Sequence, residues 1–112
     1  MNYEEDKPIS YCGIFGIYGS QTASAQAYYG LHALQHRGQE ASGIVTRSFN
    51  GDNRAHFNII KGEGLVSEVF ADHDLLTDPL KGNAAIGHNR YSTTGAAKSR
   101  KNIQPFMVNY RL

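Results

Sequence analysis

The sequence predicts an α+β fold built on a largely antiparallel sheet. Two observations lead to this prediction. Segments of strand and helix character alternate in the order β, α, β, β, short α, β, β, which is typical of α+β proteins. Two β-branched and aromatic runs also flank the turn signal Asn50-Gly51-Asp52, as in a hairpin. Twelve glycines and seven tyrosines with no tryptophan favour tight turns and strands over a helical bundle.

The first two elements are a strand and a helix. The run YCGIFGIY, residues 11–18, predicts a buried strand in which Gly13 and Gly16 leave room for another backbone to come close. Between Thr22 and Gln35 the alanines and leucines recur at helical spacing, so we expect a helix there. Ser20 or Thr22 is expected to cap its start and Gly38 to stop it.

The remaining elements complete the sheet. The hairpin is predicted from Ser42 onward, with GIVTRSF as its first strand and RAHFNIIKG as its second. Residues 65–70 predict a short helix, and the polar stretch 71–83 predicts a surface connection. AAIGHNRYS, residues 84–92, and QPFMVNY, residues 104–110, predict the last two strands.

Size, charge and cysteine content exclude several classes of protein. The chain has 112 residues and 12.4 kDa, one domain at most, and its net charge of +1 argues against a purely electrostatic nucleic-acid or membrane partner. No apolar stretch approaches the ~20 residues of a membrane helix. The acidic start does not resemble a secretory signal, and the single cysteine, Cys12, excludes an intramolecular disulfide, so we expect a cytoplasmic protein.

The two ends of the sequence suggest a larger precursor. Residues 1–11 are acidic and polar and precede a core strand directly, the arrangement of a removable propeptide, although a ragged N-terminus is the simpler alternative. Leu112 follows the last predicted strand by two residues, which would leave a strand edge exposed. We therefore expect residues 12–112 to be the N-terminal part of a longer domain.

Cys12 is the candidate nucleophile. A free thiol has a pKa near 8.5 and needs a base or a positive environment to react at neutral pH. An α-amine, with a pKa of roughly 7.7 to 8.0, supplies that base when the cysteine is itself the first residue, and cleavage between Tyr11 and Cys12 would create this arrangement. The alternative is a small buried apolar residue with no reactivity.

Two polar clusters are candidate binding segments. HRGQE, residues 36–40, contains Arg37 and Gly38 at a helix-to-strand corner and either lines a pocket or only stabilises the corner. GHNRYSTTG, residues 87–95, places Arg90 where a guanidinium could grip a carboxylate bidentately, with a hydroxyl of Thr93 or Thr94 nearby. Pairing of Arg90 with an internal acidic residue is the alternative. His32 and His36 lie four residues apart without further ligands, so no metal site is predicted.

Four strings occur in fixed order along the chain: CGIFGI from Cys12, LQHRGQEASGI from Leu34, IGHNRYSTTG from Ile86 and NIQPF from Asn102. Together they resemble the glutaminase domain of the amidophosphoribosyltransferase family, which catalyses the first committed step of purine biosynthesis. The resemblance extends from Cys12 to about Tyr110. Glucosamine-6-phosphate synthase, a related class II amidotransferase, tends to have YRGYDSAG and RWATHG at the corresponding places.

The resemblance implies an N-terminal-nucleophile hydrolase fold, a four-layer αββα sandwich that is incomplete in this chain. It implies that Cys12 is the nucleophile, exposed by removal of residues 1–11. It also implies that Arg90 holds the α-carboxylate of glutamine, with Thr93 in the same turn and the Arg37-Gly38 corner lining the pocket.

The resemblance further implies the partners and cofactors of a longer enzyme. The substrates would be glutamine and phosphoribosyl pyrophosphate, with Mg²⁺ in a phosphoribosyltransferase domain that this chain lacks, and the full-length enzyme would be a homo-oligomer. A [4Fe-4S] cluster, if present, would take its ligands from beyond Leu112. The fragment alone is expected to be inactive, because the oxyanion hole would also lie downstream. Two alternatives stay open: the glutaminase domain of another class II amidotransferase such as glucosamine-6-phosphate synthase, and a non-catalytic amino-acid-binding module.

Overall fold

In the described part of the chain, a four-stranded antiparallel sheet packs against one long helix. The computed structural model describes residues 12–35, 39–49, 51, 53–91 and 104–105. Its strands are β1 (Cys12–Tyr18), β2 (Gln39–Phe49), β3 (Ala55–Glu63) and β4 (Ala84–Tyr91), and its helices are α1 (Ala23–Leu34), α2 (Val66–Val69) and a 3₁₀ helix (His73–Leu76). The strand order is β1-β4-β2-β3, and every neighbouring pair is antiparallel. The α+β prediction is confirmed.

Helix α1 covers one face of the sheet through a stripe of small and apolar residues. Ala23, Ala27 and Leu31 are four residues apart, lie on one side of the helix and are fully buried. Thr22 occupies the N-cap position without a side-chain capping bond, and Gln35 ends the helix in an extended conformation. The helix therefore stops before Gly38, which lies outside the described residues.

Shorter elements close the core below α1. Val66, Phe70 and Leu80 are buried in the same cluster as Leu31, and the Ser24 hydroxyl donates a hydrogen bond to the Leu76 carbonyl. The short helix was predicted correctly. The prediction of a plain surface connection over 71–83 was partly wrong, because this segment contains the 3₁₀ helix and buries Leu80, while residues 71–74 are exposed.

The sheet has two faces of different character. Residues that alternate along each strand point either to α1, the helix face, or away from it, the open face. Register and exposure place several large side chains on the open face, among them Ile14 at 66% exposed and Ile86 at 52%. The others are Tyr18, Phe49 and Phe57, and the Arg47 guanidinium stacks 5.5 Å from the Tyr18 ring centre and 5.1 Å from that of Phe49.

A short piece of the C-terminal segment crosses the open face at Gly43. A Cβ atom added to Gly43 would lie 2.5 Å from the Gln104 carbonyl oxygen and 2.7 Å from Pro105 Cδ. The Lys61 ammonium donates a hydrogen bond to the Pro105 carbonyl at 3.1 Å. Gln104 and Pro105 form a bend here and are not part of a strand, which corrects the start of the strand predicted over 104–110. The rest of that prediction lies outside the described residues.

Close packing between β4 and α1 predicts a large stability difference between two glycine variants. A Cβ at Gly87 would lie 2.6 Å from Leu31 Cδ1, whereas the nearest atom to a Cβ at Gly16 is the Ala85 carbonyl oxygen at 3.9 Å. We expect Gly87→Ala to lower the free energy of unfolding by about 1 to 3 kcal/mol and Gly16→Ala by less than about 0.5 kcal/mol. Denaturant titration of both variants measures the difference, and equal losses would contradict the packing described here.

None of the helices in the described part of the chain is both long enough and apolar enough to cross a membrane.

Candidate functional site

Two of the predicted site residues meet at one end of the sheet. Cys12 is the first residue of β1, and its Cα is the direct partner of the Arg90 Cα on β4. Directly opposite residues of an antiparallel pair have Cα atoms roughly 4.5 to 5.5 Å apart. The fold therefore brings together, from positions 78 apart in sequence, the residue predicted to attack an amide and the residue predicted to hold a carboxylate. The side chain of Cys12 and the predicted site residues Arg37, Gly38 and Thr93 lie outside what the structure describes.

A register shift in β2 lies beside this pair. Gln39 is opposite Tyr91 and Ala41 is opposite Arg90, so the ladder between β2 and β4 is irregular between Gln39 and Ala41. Bulges of this kind bend a strand and re-aim its side chains, and they occur often next to active sites. Strand β2 begins at Gln39, three residues before Ser42, where the sequence predicted the hairpin to begin.

A buried polar network lies on the helix face beneath the Cys12–Arg90 pair. The fully buried Asn89 donates from Nδ2 to the Leu31 carbonyl at 2.8 Å and accepts from the Ser42 hydroxyl at 3.1 Å. Gln39 Nε2 donates to Ser42 Oγ at 2.6 Å and to the Gly64 carbonyl at 3.2 Å. The network joins α1, β2, β4 and the turn after β3, and through it the Gln39 side chain anchors the start of β2.

Tyr91 adds a second link between β4 and the end of α1. Its hydroxyl lies 2.9 Å from the Leu34 carbonyl, to which it donates, and 3.5 Å from Gln39 Oε1. Leu34 also packs against β1, since a Cβ at Gly13 would lie 3.3 Å from Leu34 Cβ. A helix side chain therefore approaches Gly13, directly beside Cys12, and not the backbone that was expected there.

His88 is a buried imidazole on the open face near Arg90. It is 6% exposed, although Ile14, its partner on β1, and Ile86, two residues away, are largely exposed. Its partner on β2 is Gly43, over which Gln104 and Pro105 pass. Its Nδ1 atom is buried and has no hydrogen-bond partner among the residues that the structure describes. Burial, and secondarily the positive charge of Arg90, lowers the pKa of His88 below its ordinary value of 6.5.

The lowered pKa of His88 predicts a loss of stability in acid. The unfolded chain takes up a proton near the ordinary pKa of 6.5, whereas the folded state resists protonation, so stability falls as the pH drops below about 6.5. We expect the thermal midpoint of the full-length protein to decrease from pH 7 to pH 5 and the decrease to be shallower in His88→Gln. A variant with the same pH dependence as the wild type would show that His88 does not contribute.

Among the residues that the structure describes, no group of three or more histidine, cysteine, aspartate or glutamate side chains could hold a metal ion.

Two clefts formed by described residues lie away from the Cys12–Arg90 pair. Two adjoining clefts of about 430 and 410 Å³ are at the opposite end of β4 and share Gln21, Lys81 and Gly82 in their linings. None of the residues predicted to act on a substrate lines them. Within the described part of the chain, the strand register identifies the candidate site.

Comparison with known proteins decides the relationship. The chain is 52% identical over 108 residues to amidophosphoribosyltransferase 1, chloroplastic, of Arabidopsis thaliana, a match that covers 96% of this chain. It is 48% identical over 99 residues to the amidophosphoribosyltransferase of Lacticaseibacillus casei, covering 88% of the chain, and 47% identical over 97 residues to that of Bacillus subtilis, covering 86%. The homologues of this chain are amidophosphoribosyltransferases.

The resemblance that the four sequence strings indicated is thereby confirmed. The chain spans 18% of the length of the Arabidopsis thaliana and Bacillus subtilis amidophosphoribosyltransferases and 47% of that of the Lacticaseibacillus casei protein. No protein-family model matches the chain.

Proposed function

We propose that this chain is the N-terminal, glutamine-hydrolysing part of an amidophosphoribosyltransferase. In the whole enzyme it would supply ammonia for the synthesis of phosphoribosylamine from phosphoribosyl pyrophosphate, the first committed step of purine biosynthesis. The observation that carries this proposal is the 47% to 52% identity to amidophosphoribosyltransferases from a plant and two bacteria over most of the chain. No comparable observation favours a non-catalytic amino-acid-binding module or a class II amidotransferase that delivers ammonia to a different acceptor substrate.

In this proposal Cys12 is the nucleophile, after residues 1–11 have been removed and its α-amine has become free. The amine takes the thiol proton, and the thiolate attacks the side-chain amide carbon of glutamine. Collapse of the tetrahedral intermediate returns a proton to the leaving nitrogen, so ammonia departs and a γ-glutamyl thioester remains. Water then hydrolyses the thioester, which yields glutamate and regenerates the thiol.

Arg90 is proposed to bind the α-carboxylate of glutamine, with Thr93 and the Arg37-Gly38 corner lining the same pocket. The β1–β4 register supports the role of Arg90, because it places this residue opposite Cys12. A guanidinium suits the role because its planar donors match both oxygens of a carboxylate. The start of β2, which follows the Arg37-Gly38 corner, pairs with β4 and places Ala41 opposite Arg90.

The fold proposed for the complete domain is the four-layer αββα sandwich of N-terminal-nucleophile hydrolases, with a second sheet on the open face. The exposure of Ile14, Ile86 and Phe57 on that face supports this proposal, since contiguous large apolar side chains usually mark a surface that another element covers. Helix α1 would belong to the outer helical layer on the opposite side.

The cofactors of the proposed enzyme belong to regions beyond this chain. Mg²⁺ would bind in the phosphoribosyltransferase domain, and a [4Fe-4S] cluster, where present, would be held by residues after Leu112. The whole enzyme is proposed to be a cytoplasmic homo-oligomer.

An acceptor assay on the full-length gene product tests the proposed function. With glutamine and phosphoribosyl pyrophosphate we expect glutamate and pyrophosphate to be released in equal amounts, and no reaction of fructose 6-phosphate. Glutamate release that depends on fructose 6-phosphate would instead identify a glucosamine-6-phosphate synthase. Glutamine binding without turnover would identify a non-catalytic module.

A further inference from the structure

The buried network around Asn89 connects the strand that carries Arg90 with both ends of the helix-to-strand corner. Asn89 and Tyr91 flank Arg90 in sequence, and both direct their side chains to the helix face. Asn89 donates a hydrogen bond to the Leu31 carbonyl, and Tyr91 donates one to the Leu34 carbonyl. Both carbonyls belong to the last turn of α1, where the corner begins. The corner ends at Gln39, which is bonded to Ser42 and through it to Asn89.

Three hydrogen bonds of this network form a chain in which each side chain donates to the next residue. Gln39 donates to Ser42, Ser42 donates to Asn89, and Asn89 donates to Leu31. Each of these three side chains bonds to at least two partners, and all three residues are at most 8% exposed. Because an unpaired polar group at such a depth is costly, the relative positions of α1, β2 and β4 are fixed together at this point.

We propose that Asn89 is a positioning residue for glutamine binding, which holds β4 with Arg90 in a fixed relation to the end of α1 and the start of β2. This inference rests on the proposed function, in which Arg90 and the corner form two walls of one glutamine pocket. Asn89 does not touch the substrate, since its side chain points to the helix face and that of Arg90 to the open face. It acts through Arg90.

A second polar cluster on the same face provides a matched control. Asn58 on β3 donates to Thr46 Oγ1 at 3.2 Å, to Ser48 Oγ at 3.4 Å and to the Lys81 carbonyl at 3.2 Å, at the opposite end of the sheet from Arg90. Replacing either asparagine by alanine removes a side-chain amide that forms hydrogen bonds between its own strand and β2. The two replacements differ in their distance from the proposed pocket.

Steady-state kinetics of the full-length enzyme test the inference. We expect Asn89→Ala to raise the KM for glutamine about tenfold, to change kcat by less than about threefold and to leave the ammonia-dependent rate unchanged. We expect Asn58→Ala to change none of these quantities, even if its thermal midpoint falls by a similar amount. Tyr91→Phe, which removes only the hydroxyl, is expected to raise the KM for glutamine about threefold, and it carries the test if Asn89→Ala does not fold.

Equal KM values in the wild type, Asn89→Ala and Tyr91→Phe would overturn the inference, and so would equal increases in Asn89→Ala and Asn58→Ala. These outcomes are distinguishable from failure of the proposed function. If the wild type releases no glutamate from glutamine, or if Cys12→Ala retains that activity, the proposed function itself is wrong. If Cys12→Ala abolishes glutamate release but Asn89→Ala leaves the KM for glutamine unchanged, the inference about Asn89 alone is wrong.

Discussion

Replacement of Cys12 by alanine is expected to abolish glutamine-dependent synthesis of phosphoribosylamine by the full-length enzyme while ammonia-dependent synthesis continues. The thiolate forms the only covalent bond between the enzyme and the substrate in the proposed reaction, so no other group of the protein replaces it. Removal of a nucleophilic serine from a well-studied protease costs on the order of 10⁶-fold in kcat, which sets the scale of the effect. Parallel assays with glutamine and with ammonium chloride measure both activities.

The ammonia-dependent activity is also the control for folding of the Cys12 variant. A smaller change, Cys12→Ser, keeps a nucleophilic atom and the α-amine but replaces the sulfur by a hydroxyl with a much higher pKa, so we expect it to be nearly as inactive with glutamine. Loss of both activities in Cys12→Ala would contradict the division between glutamine hydrolysis and synthesis. Retention of both would exclude Cys12 as the nucleophile.

Replacement of Arg90 by alanine is expected to give the second largest effect, a decrease of about 10²-fold in kcat/KM for glutamine. The loss of a charge-assisted, bidentate pair with the α-carboxylate corresponds to about 3 kcal/mol. Most of the decrease should lie in KM, because the carboxylate is bound in the ground state and in the transition state alike. Steady-state kinetics with glutamine, again alongside ammonia, separate the two parameters.

Arg90→Lys distinguishes binding geometry from charge alone. A lysine keeps the positive charge but offers no planar pair of donors, so we expect its KM to lie between those of the wild type and Arg90→Ala. If Arg90→Lys binds glutamine as the wild type does, charge alone is sufficient. If Arg90→Ala also retains the wild-type KM, Arg90 does not bind the carboxylate.

The sequence was sufficient to predict most of the sheet because its strands are strongly patterned. The hairpin β2–β3, the strand from Ala84 and helix α1 all have the expected type and nearly the expected bounds. The start of β2 at Gln39 was missed because HRGQE has the composition of a corner, and only the pairing of Gln39 with Tyr91 makes it part of a strand. Leu80 was assigned to a polar connection because its burial depends on contacts that are distant in sequence.

The candidate site was only partly accessible from the sequence. Cys12 and Arg90 could be identified because their chemistry and neighbours are unusual, but their pairing depends on strand order, which no local pattern contains. Asn89 and Ser42 were not singled out because polar residues in a strand are usually expected to face solvent. A signal was nevertheless present: Asn89 follows Ala85 and Gly87 in a period of two, which places it on the buried side of β4.

Peptide mapping after covalent labelling tests the central claim most directly. The full-length, active protein is treated with a diazoketone analogue of glutamine, digested and analysed by mass spectrometry, with excess glutamine as the protecting control. The account predicts a single glutamine-protected adduct on the Cys12 sulfur, in a peptide that begins at Cys12 with a free amine. An active protein in which Met1 to Tyr11 still precede Cys12, or a protected adduct on any other residue, would contradict it.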